Sequence, residues 1–372
     1  MSGLVFTHGE GSLIHTKDGR TLVDLATGFG AAFLGHAHPG VTKRLQDQAA
    51  RLLTSGRNPT EGEDRVAALI AAVLPRGLRP AGLYSTGMEV AEFALRVAAT
   101  HTGRGEFVGF ARSMHGKSAM TAALGWSNAP VRPANAHVLP FAGDAPEEAI
   151  LDRLDALLRT GRVAALLVEP VQGSNAAREA SIGFYDRAIA LCREHGALCI
   201  FDETLTGLHR TGTAFYSERL RERPDMLLFA KCLGNGFPVS SIALGEAIEV
   251  RAGALPGSTF SGNPMALAAA EATLTAMAGL AMRESVAAIG ELVHSRLGRL
   301  SDGGVTLRGR GAFWCLEFGE RARMERAVAS LRSADVLVTS GDRFIRLLPA
   351  ATIDPGLLED ACEKVARACA VV

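Results

Sequence analysis

Three short apolar runs in this chain each stop at an ionisable residue. Val163-Ala-Ala-Leu-Leu-Val168 precedes Glu169, Leu198-Cys-Ile-Phe201 precedes Asp202, and Met226-Leu-Leu-Phe-Ala230 precedes Lys231. Runs of this length with no polar break predict strands buried on both faces, as in a sheet covered by helices. The separations, 33 residues from Glu169 to Asp202 and 29 from Asp202 to Lys231, leave room for a helix or turn-rich crossover between strands of an open α/β sheet. Ligands in such sheets gather beyond the carboxyl ends of the strands, which makes the three residues candidates for a site.

The flanking patterns are different. Phe6 to Leu25 combines turn signals, Gly9-Glu-Gly11 and Asp18-Gly19, with short alternating runs, and predicts a small antiparallel ribbon. From Thr42 the spacing becomes helical, then helical and strand-like segments alternate through Gly245. The Ala-rich stretch near Met265 to Met282 carries Glu271 and small polar residues, so it reads as a helix of a soluble domain rather than a membrane span. Gly303 to Phe318 and Val336 to Leu348 read as short strands, and Ile353 to Val371 as a closing helix. No internal repeat, low-complexity tract or interdomain linker interrupts the sequence.

Composition narrows the function classes. At 372 residues and 48% apolar content the chain can bury one large core or two smaller ones. Lys plus Arg equals Asp plus Glu at 39 each, which gives no electrostatic argument for nucleic acid or an anionic membrane as partner. The six cysteines form no C-x-x-C pair and lie mostly in apolar surroundings, so buried free thiols are expected. The opening MSGLVFTHGEGS lacks a basic start followed by a long apolar core; no signal peptide is expected, and a cytoplasmic setting is. His36, His38 and His115 lie in a Gly-Pro turn and a loop with no third ligand at a recognisable spacing. No metal is expected, and the three are assigned to structure or pocket wall. Gly28-Phe-Gly30 lacks the third glycine of a dinucleotide fingerprint.

Lys231 has the most informative setting of the five lysines, at the end of an apolar run and ahead of the glycine-broken stretch CLGNGFP. Burial disfavours an ammonium and lowers its pKa, so a lysine here can supply the neutral nitrogen that Schiff-base chemistry with an aldehyde requires. The bland alternative is a packed stem with its head in solvent.

The surrounding strings favour the chemical reading. Asp202 opens DETLTGLHRTG, which runs to Gly212, and Lys231 opens KCLGNGFP. The chain also carries GEGSLIHTKDGRTLVDLATGFG (Gly9 to Gly30), GHAHP (Gly35 to Pro39), STGMEVAEFALRVA (Ser85 to Ala98), MHGKS (Met114 to Ser118), EPVQG (Glu169 to Gly173), STFSGNPMA (Ser258 to Ala266) and FIRLLP (Phe344 to Pro349). Through these motifs it resembles the class III, or ω-type, aminotransferases, with the acetylornithine and ornithine types among them. The resemblance implies the pyridoxal-phosphate-dependent transferase fold type I, an α/β architecture. A large domain with a mixed, mostly parallel sheet flanked by helices is expected at 46–268. A small α+β domain built from both chain ends is expected at 1–45 and 269–372. It further implies pyridoxal 5′-phosphate as cofactor and a homodimer whose active site is shared between chains. The implied reaction moves an amino group between an amino acid or amine and a 2-oxo acid or aldehyde.

Residue by residue, the resemblance makes Lys231 the Schiff-base lysine and proton shuttle, and Asp202 the partner of the cofactor's pyridinium nitrogen. Gly87 and Met88, at a helix start after Ser85-Thr86, would hold the phosphate. Thr259 would reach that phosphate from the neighbouring subunit. Met114, His115, Glu169, Thr204 and Leu205 would complete the cofactor site. Phe29, Arg57 and Arg346 would receive the substrate, with the Arg346 fork on a carboxylate; Trp126 is a further pocket candidate. Glu203, beside Asp202, is expected to point elsewhere.

Four positions depart from the family pattern. Met114 stands where relatives stack a Phe or Tyr on the ring, Thr204 where Val packs beneath it, and Leu205 where Gln bonds the phenolic oxygen. Ser174 replaces a Glu that gates the arginine in the ornithine branch. The changes around the ring leave an alternative open: the same cofactor used for an aminomutase, decarboxylase, racemase or carbon–carbon bond-forming reaction. A scaffold protein without catalysis is disfavoured by the joint presence of Lys231, Asp202 and Thr259.

Overall fold

The computed structural model describes residues 4–370 apart from Arg57 and Ala252. Its central sheet has seven strands in the order Leu78–Tyr84, Ser240–Gly245, Met226–Phe229, Leu198–Asp202, Val163–Val168, Glu106–Phe110 and Ala136–Leu139. Ser240–Gly245 pairs antiparallel with both neighbours and the remaining pairs are parallel, which makes the sheet mixed and mostly parallel. The three apolar runs are adjacent strands, so Glu169, Asp202 and Lys231 leave the sheet at the same edge.

Side-chain alternation explains why these strands carry no polar break. In Leu198–Asp202, Leu198 and Ile200 pack on the side of Val90 and Leu95, from the helix Gly87–Thr102. Cys199 and Phe201 face the other way, onto Phe184, Tyr185 and Ile189 of the helix Ile182–Glu194. A period of two thus buries both faces. Each large apolar side chain removed from water contributes about 1.5–3 kcal/mol, before conformational entropy opposes it.

The chain ends meet in the smaller part of the molecule. Phe6–Glu10, Leu13–Thr16 and Thr21–Asp24 form the expected antiparallel ribbon. Val336–Leu337, from the far end of the sequence, pairs with Thr21–Asp24 in parallel. A second small sheet joins Val305–Arg310, Phe313–Phe318, Phe344–Leu347 and Thr339–Ser340. The helices Met282–Leu297, Arg321–Ser333 and Pro355–Ala370 share a core with its inner face. The closing helix begins at Pro355, and Val371 lies outside the described residues.

The Ala-rich stretch divides where one helix was expected. Pro264–Ala278 stops at Gly279, and the chain turns by 77° into the next helix. Gly279 and Leu280 serve as a corner because glycine opposes helix continuation. Among the described residues no single helix is long and apolar enough to cross a membrane. Pro264–Ala278 also runs through the expected seam at 268/269, as Pro39–Ala49 runs through the one at 45/46. All six cysteines are buried and free.

Phe201 is 1% exposed and its ring centroid lies 5.8 Å from that of Tyr185. Phe201→Ala is expected to lower the unfolding free energy by about 3–5 kcal/mol, read by chemical denaturation.

Candidate active site

Asp202 closes its strand at 3% exposure. Its carboxylate accepts hydrogen bonds from His115 Nδ1 at 2.8 Å and from the Thr204 amide at 3.0 Å. A carboxylate only accepts, so the bond places the imidazole proton on Nδ1. Burial pushes the Asp202 carboxyl up, but His115 and Thr204 outweigh it and hold the group below its ordinary value.

Glu169, on the neighbouring strand end, takes the opposite course. Its oxygens accept from the Met114 amide at 2.7 Å and the Gly173 amide at 3.3 Å. Burial still dominates, with the Asp202 charge adding to it, and the Glu169 carboxyl is raised. Two carboxyls on adjacent strands are thereby driven apart in pKa by their surroundings.

Lys231 begins a short 3₁₀ turn, Lys231–Gly234, at φ 35°, a left-handed conformation that costs a side-chain-bearing residue about 1–3 kcal/mol. Burial lowers its pKa, Arg346 lowers it further, and Asp202 opposes the change. The turn ends at Asn235, also left-handed, whose carboxamide accepts from the Leu34 amide at 2.8 Å and donates to the Gly35 carbonyl at 3.0 Å. The lysine turn is thus tied to the loop that follows the ribbon.

The helix Gly87–Thr102 starts at the same edge. Thr86 caps it by accepting from the Glu89 amide at 3.1 Å, while Glu89 accepts from the Ser85 amide at 2.8 Å. The cap leaves the amides of Gly87 and Met88 free of intrahelical acceptors and aligned with the positive end of the helix dipole. A Cβ at Gly87 would sit 3.1 Å from Thr204 Cγ2, so glycine keeps this approach open.

Between these elements lies a cavity of about 360 Å³ whose walls include Gly87, Met114, His115, Asp202, Thr204 and Lys231. Met88 lines it as well. Two buried polar atoms of the wall residues, Thr204 Oγ1 and His115 Nε2, have no partner in the protein. The residues present fit pyridoxal phosphate: a helix start for the dianionic phosphate, a buried carboxylate for a protonated ring nitrogen, and a desolvated amine for the aldehyde.

Other candidates lie elsewhere. Leu205 is not a wall residue; it packs 5% exposed in the apolar core, where Cβ atoms at Gly30 and Gly173 would meet its methyls at 2.9 and 2.7 Å. An isobutyl group is better buried there than turned toward a polar cavity. Thr259 is exposed beside Phe260, which is 59% exposed, and outside the cavity walls. Arg57 lies outside the described residues. Trp126 is also absent from the walls, with the Lys117 ammonium 5.6 Å from its ring centroid. Glu203 points away, as expected, accepting from the Tyr216 and Ser217 amides at 2.7 and 3.0 Å; burial pushes its carboxyl up to about 7.

Arg346 and Phe29 come together, although neither is among the cavity's wall residues. The Arg346 guanidinium lies 5.6 Å from the Phe29 ring centroid, donating to the Gly173 carbonyl at 2.6 Å and the Thr339 hydroxyl at 3.1 Å. Both acceptors are neutral. Sequence reasoning assigned no role to Asn235 or Arg210, although both stand inside the quoted motifs. Their side-chain bonds to backbone groups are with residues about 100 to 200 positions away, which no local pattern encodes.

The residues gathered at this sheet edge fit a pyridoxal-phosphate-dependent enzyme. Residues 1–369 match the model of the family described as Aminotransferase class-III, and the chain belongs to that family. It is 34% identical to an acetylornithine aminotransferase of Methanopyrus kandleri, over 97% of this chain and 92% of the relative. It is 31% identical to a [LysW]-aminoadipate semialdehyde transaminase of Deinococcus radiodurans, over 94% and 82%. An ornithine aminotransferase structure from Toxoplasma gondii, described with partial occupancy of PLP at its active site, superposes with a TM-score of 0.88 at 26% identity, covering 100% of this chain and 91% of the other. The chain is an enzyme that transfers amino groups with pyridoxal phosphate as cofactor.

The depressed Asp202 carboxyl gives a pH test on the cofactor-free protein. A carboxyl whose folded pKa lies below its unfolded value contributes stability above the unfolded value and loses it as pH falls through the folded one. Asp202→Asn is expected to cost about 1.5–3 kcal/mol at neutral pH. The difference from the parent should vanish as thermal melts are repeated at progressively lower pH.

Proposed function

We propose that this aminotransferase acts as a cytoplasmic homodimer on a carboxylate-bearing amino donor, with Lys231 as both the covalent anchor of the cofactor and the group that moves the proton. The observation that carries this reading is the Lys231 amine, desolvated at a strand end with the Asp202 carboxylate on the next strand. When bound, pyridoxal phosphate supplies an aldehyde to take the amino group and a ring to accept electrons.

The protein's own residues divide the remaining work. Asp202, held ionised, keeps a proton on the ring nitrogen and so strengthens the electron demand. His115 fixes the orientation of that carboxylate through its 2.8 Å bond. The amides of Gly87 and Met88 would hold the phosphate, and Thr259 of a second chain would complete its shell. Exposed apolar side chains at Met88, Phe260, Leu52 and Leu53 support a covered face and hence a dimer. Met114 and Thr204, both in the cavity wall, would flank the ring. Glu169 positions the Met114 backbone, its carboxyl accepting from the Met114 amide at 2.7 Å. Lys231 would hold the cofactor and, with its amine desolvated in the same cavity, would serve as the group that moves the proton.

Arg346 supports the substrate class. Its guanidinium has only neutral hydrogen-bond acceptors, so its charge is free for a carboxylate beside Phe29. The names of the relatives, acetylornithine and ornithine aminotransferases, are consistent with amino-acid donors. The balance of 39 basic and 39 acidic residues supports small-molecule partners over nucleic acid or membrane, and six buried free thiols suit a reducing compartment.

Lys231→Ala is expected to abolish transamination and to leave any added cofactor removable by gel filtration, with the parent retaining a visible absorbance band. Arg346→Ala should raise KM for carboxylate-bearing donors by about 10–100-fold with a smaller change in kcat. An unchanged KM for every active donor would remove the arginine from the substrate site.

A further inference from the structure

Arg210 is the largest of the fully buried side chains, at 0% exposure. Its hydrogen bonds to oxygen all go to backbone carbonyls: Nη1 to Ala312 at 3.1 Å and Pro349 at 2.7 Å, and Nη2 to Gly30 at 2.9 Å. The Phe33 ring centroid lies 3.9 Å from the guanidinium carbon, Cys232 Sγ lies 3.9 Å from Nη2, and Nε has no partner. A cation buried without a carboxylate is a costly way to fill space, and packing alone calls for an apolar residue.

The identity of the three carbonyls gives the arginine a purpose. Gly30 ends the turn that carries Phe29, whereas Pro349 lies three residues beyond Arg346 on the segment leaving Phe344–Leu347. Ala312 sits in the tight connection between the strands Val305–Arg310 and Phe313–Phe318, the second of which pairs with the Arg346 strand. One rigid planar fork therefore spans the two elements that bring Phe29 and Arg346 together.

The Phe29 turn needs holding. Thr27, Gly28, Phe29 and Gly30 have φ of 43°, 60°, 59° and 87°, four successive left-handed residues that L-amino acids avoid. At the near end, Asp24 Oδ1 accepts from the Ala26 and Thr27 amides at 2.7 and 2.9 Å, and the Thr27 hydroxyl donates to the Leu348 carbonyl at 2.7 Å. At the far end the Gly30 carbonyl is held by Arg210, with the Cys232 thiol at 3.5 Å. A strained segment braced at both ends and bearing an aromatic residue 54% exposed is the kind of element that stores strain for ligand recognition.

We propose that Arg210 is a positioning residue for substrate specificity: its hold on the Gly30 carbonyl keeps the left-handed Thr27–Gly30 turn in place and so fixes Phe29 against Arg346. The inference rests on the reading that Phe29 and Arg346 receive the substrate. Lysine cannot replace the arginine, because a single ammonium on a flexible stem does not fix the spacing of three carbonyls.

The test is a double-mutant cycle on the holoenzyme, using the fastest donor from a panel of carboxylate-bearing amino acids. Arg210→Lys and Phe29→Ala are each expected to raise KM roughly tenfold with kcat within about threefold, and the double variant should be no worse than the poorer single. In Arg210→Lys the amides of Gly30 and Ala32, which bond back within the turn at 3.0 Å each, should exchange hydrogen faster, while the visible cofactor band is unchanged. KM effects that multiply, or unaltered exchange at those amides, overturn the proposal. Failure of the underlying substrate reading looks different: Phe29→Ala and Arg346→Ala then leave KM unchanged. If Arg210→Lys yields no folded protein, Thr27→Val removes the brace to Leu348 and takes its place in the cycle. The same non-additivity with Phe29→Ala is expected, and multiplying effects again overturn the proposal.

Discussion

The strands Val163–Val168, Leu198–Asp202 and Met226–Phe229 are covered on both faces, and that burial governs the three charges placed where they end. Water is excluded from the sheet, so each group at its edge is either rescued by a specific partner or driven toward its neutral form. Asp202 is rescued by His115 and Thr204 and stays ionised. Glu169 and Lys231 are driven the other way, one carboxyl raised and one amine lowered. A fixed anion beside an amine whose pKa is lowered suits an aldehyde cofactor with a basic ring nitrogen. The acid–base character of the site is therefore a consequence of core packing.

Backbone strain is concentrated around the same edge. Lys231 and Asn235 bound the lysine turn with left-handed conformations, and Thr27 to Gly30 adopts them in succession on the facing loop. The two strained segments are laced to each other, by Asn235 to Leu34 and Gly35 and by Cys232 to Gly30. Strain persists only where surrounding structure over-determines the conformation. Here the surplus comes from side chains that act on backbone groups, so the geometry does not depend on the ordering of any exposed loop.

Two arginines, one buried and one partly buried, share a design. Arg346 and Arg210 both spend donors on backbone carbonyls and neither has a carboxylate among its hydrogen-bond partners. Arg346 lies partly accessible beside the Phe29 ring, whereas Arg210 is closed off entirely. The two guanidinium groups thus share a bonding pattern and differ in access.

Sequence alone determined the sheet's core strands, the ribbon, the helix start at Gly87 and the edge shared by Glu169, Asp202 and Lys231. These rest on local physics: unbroken apolar runs, turn glycines and a capping threonine signal their conformations within a few residues. It placed Leu205 beside the cofactor and one helix through Met282, and it had no role for Arg210 or Asn235. Whether Leu205 faces a cavity or a core depends on Gly30 and Gly173, and the bend after Ala278 on a corner that one glycine only permits. Phe29 and Arg346 are 317 positions apart and meet only because both chain ends fold onto the same sheet edge. Tertiary structure decided these points because each turns on contacts between residues distant in sequence, and such contacts leave no periodic trace in either partner.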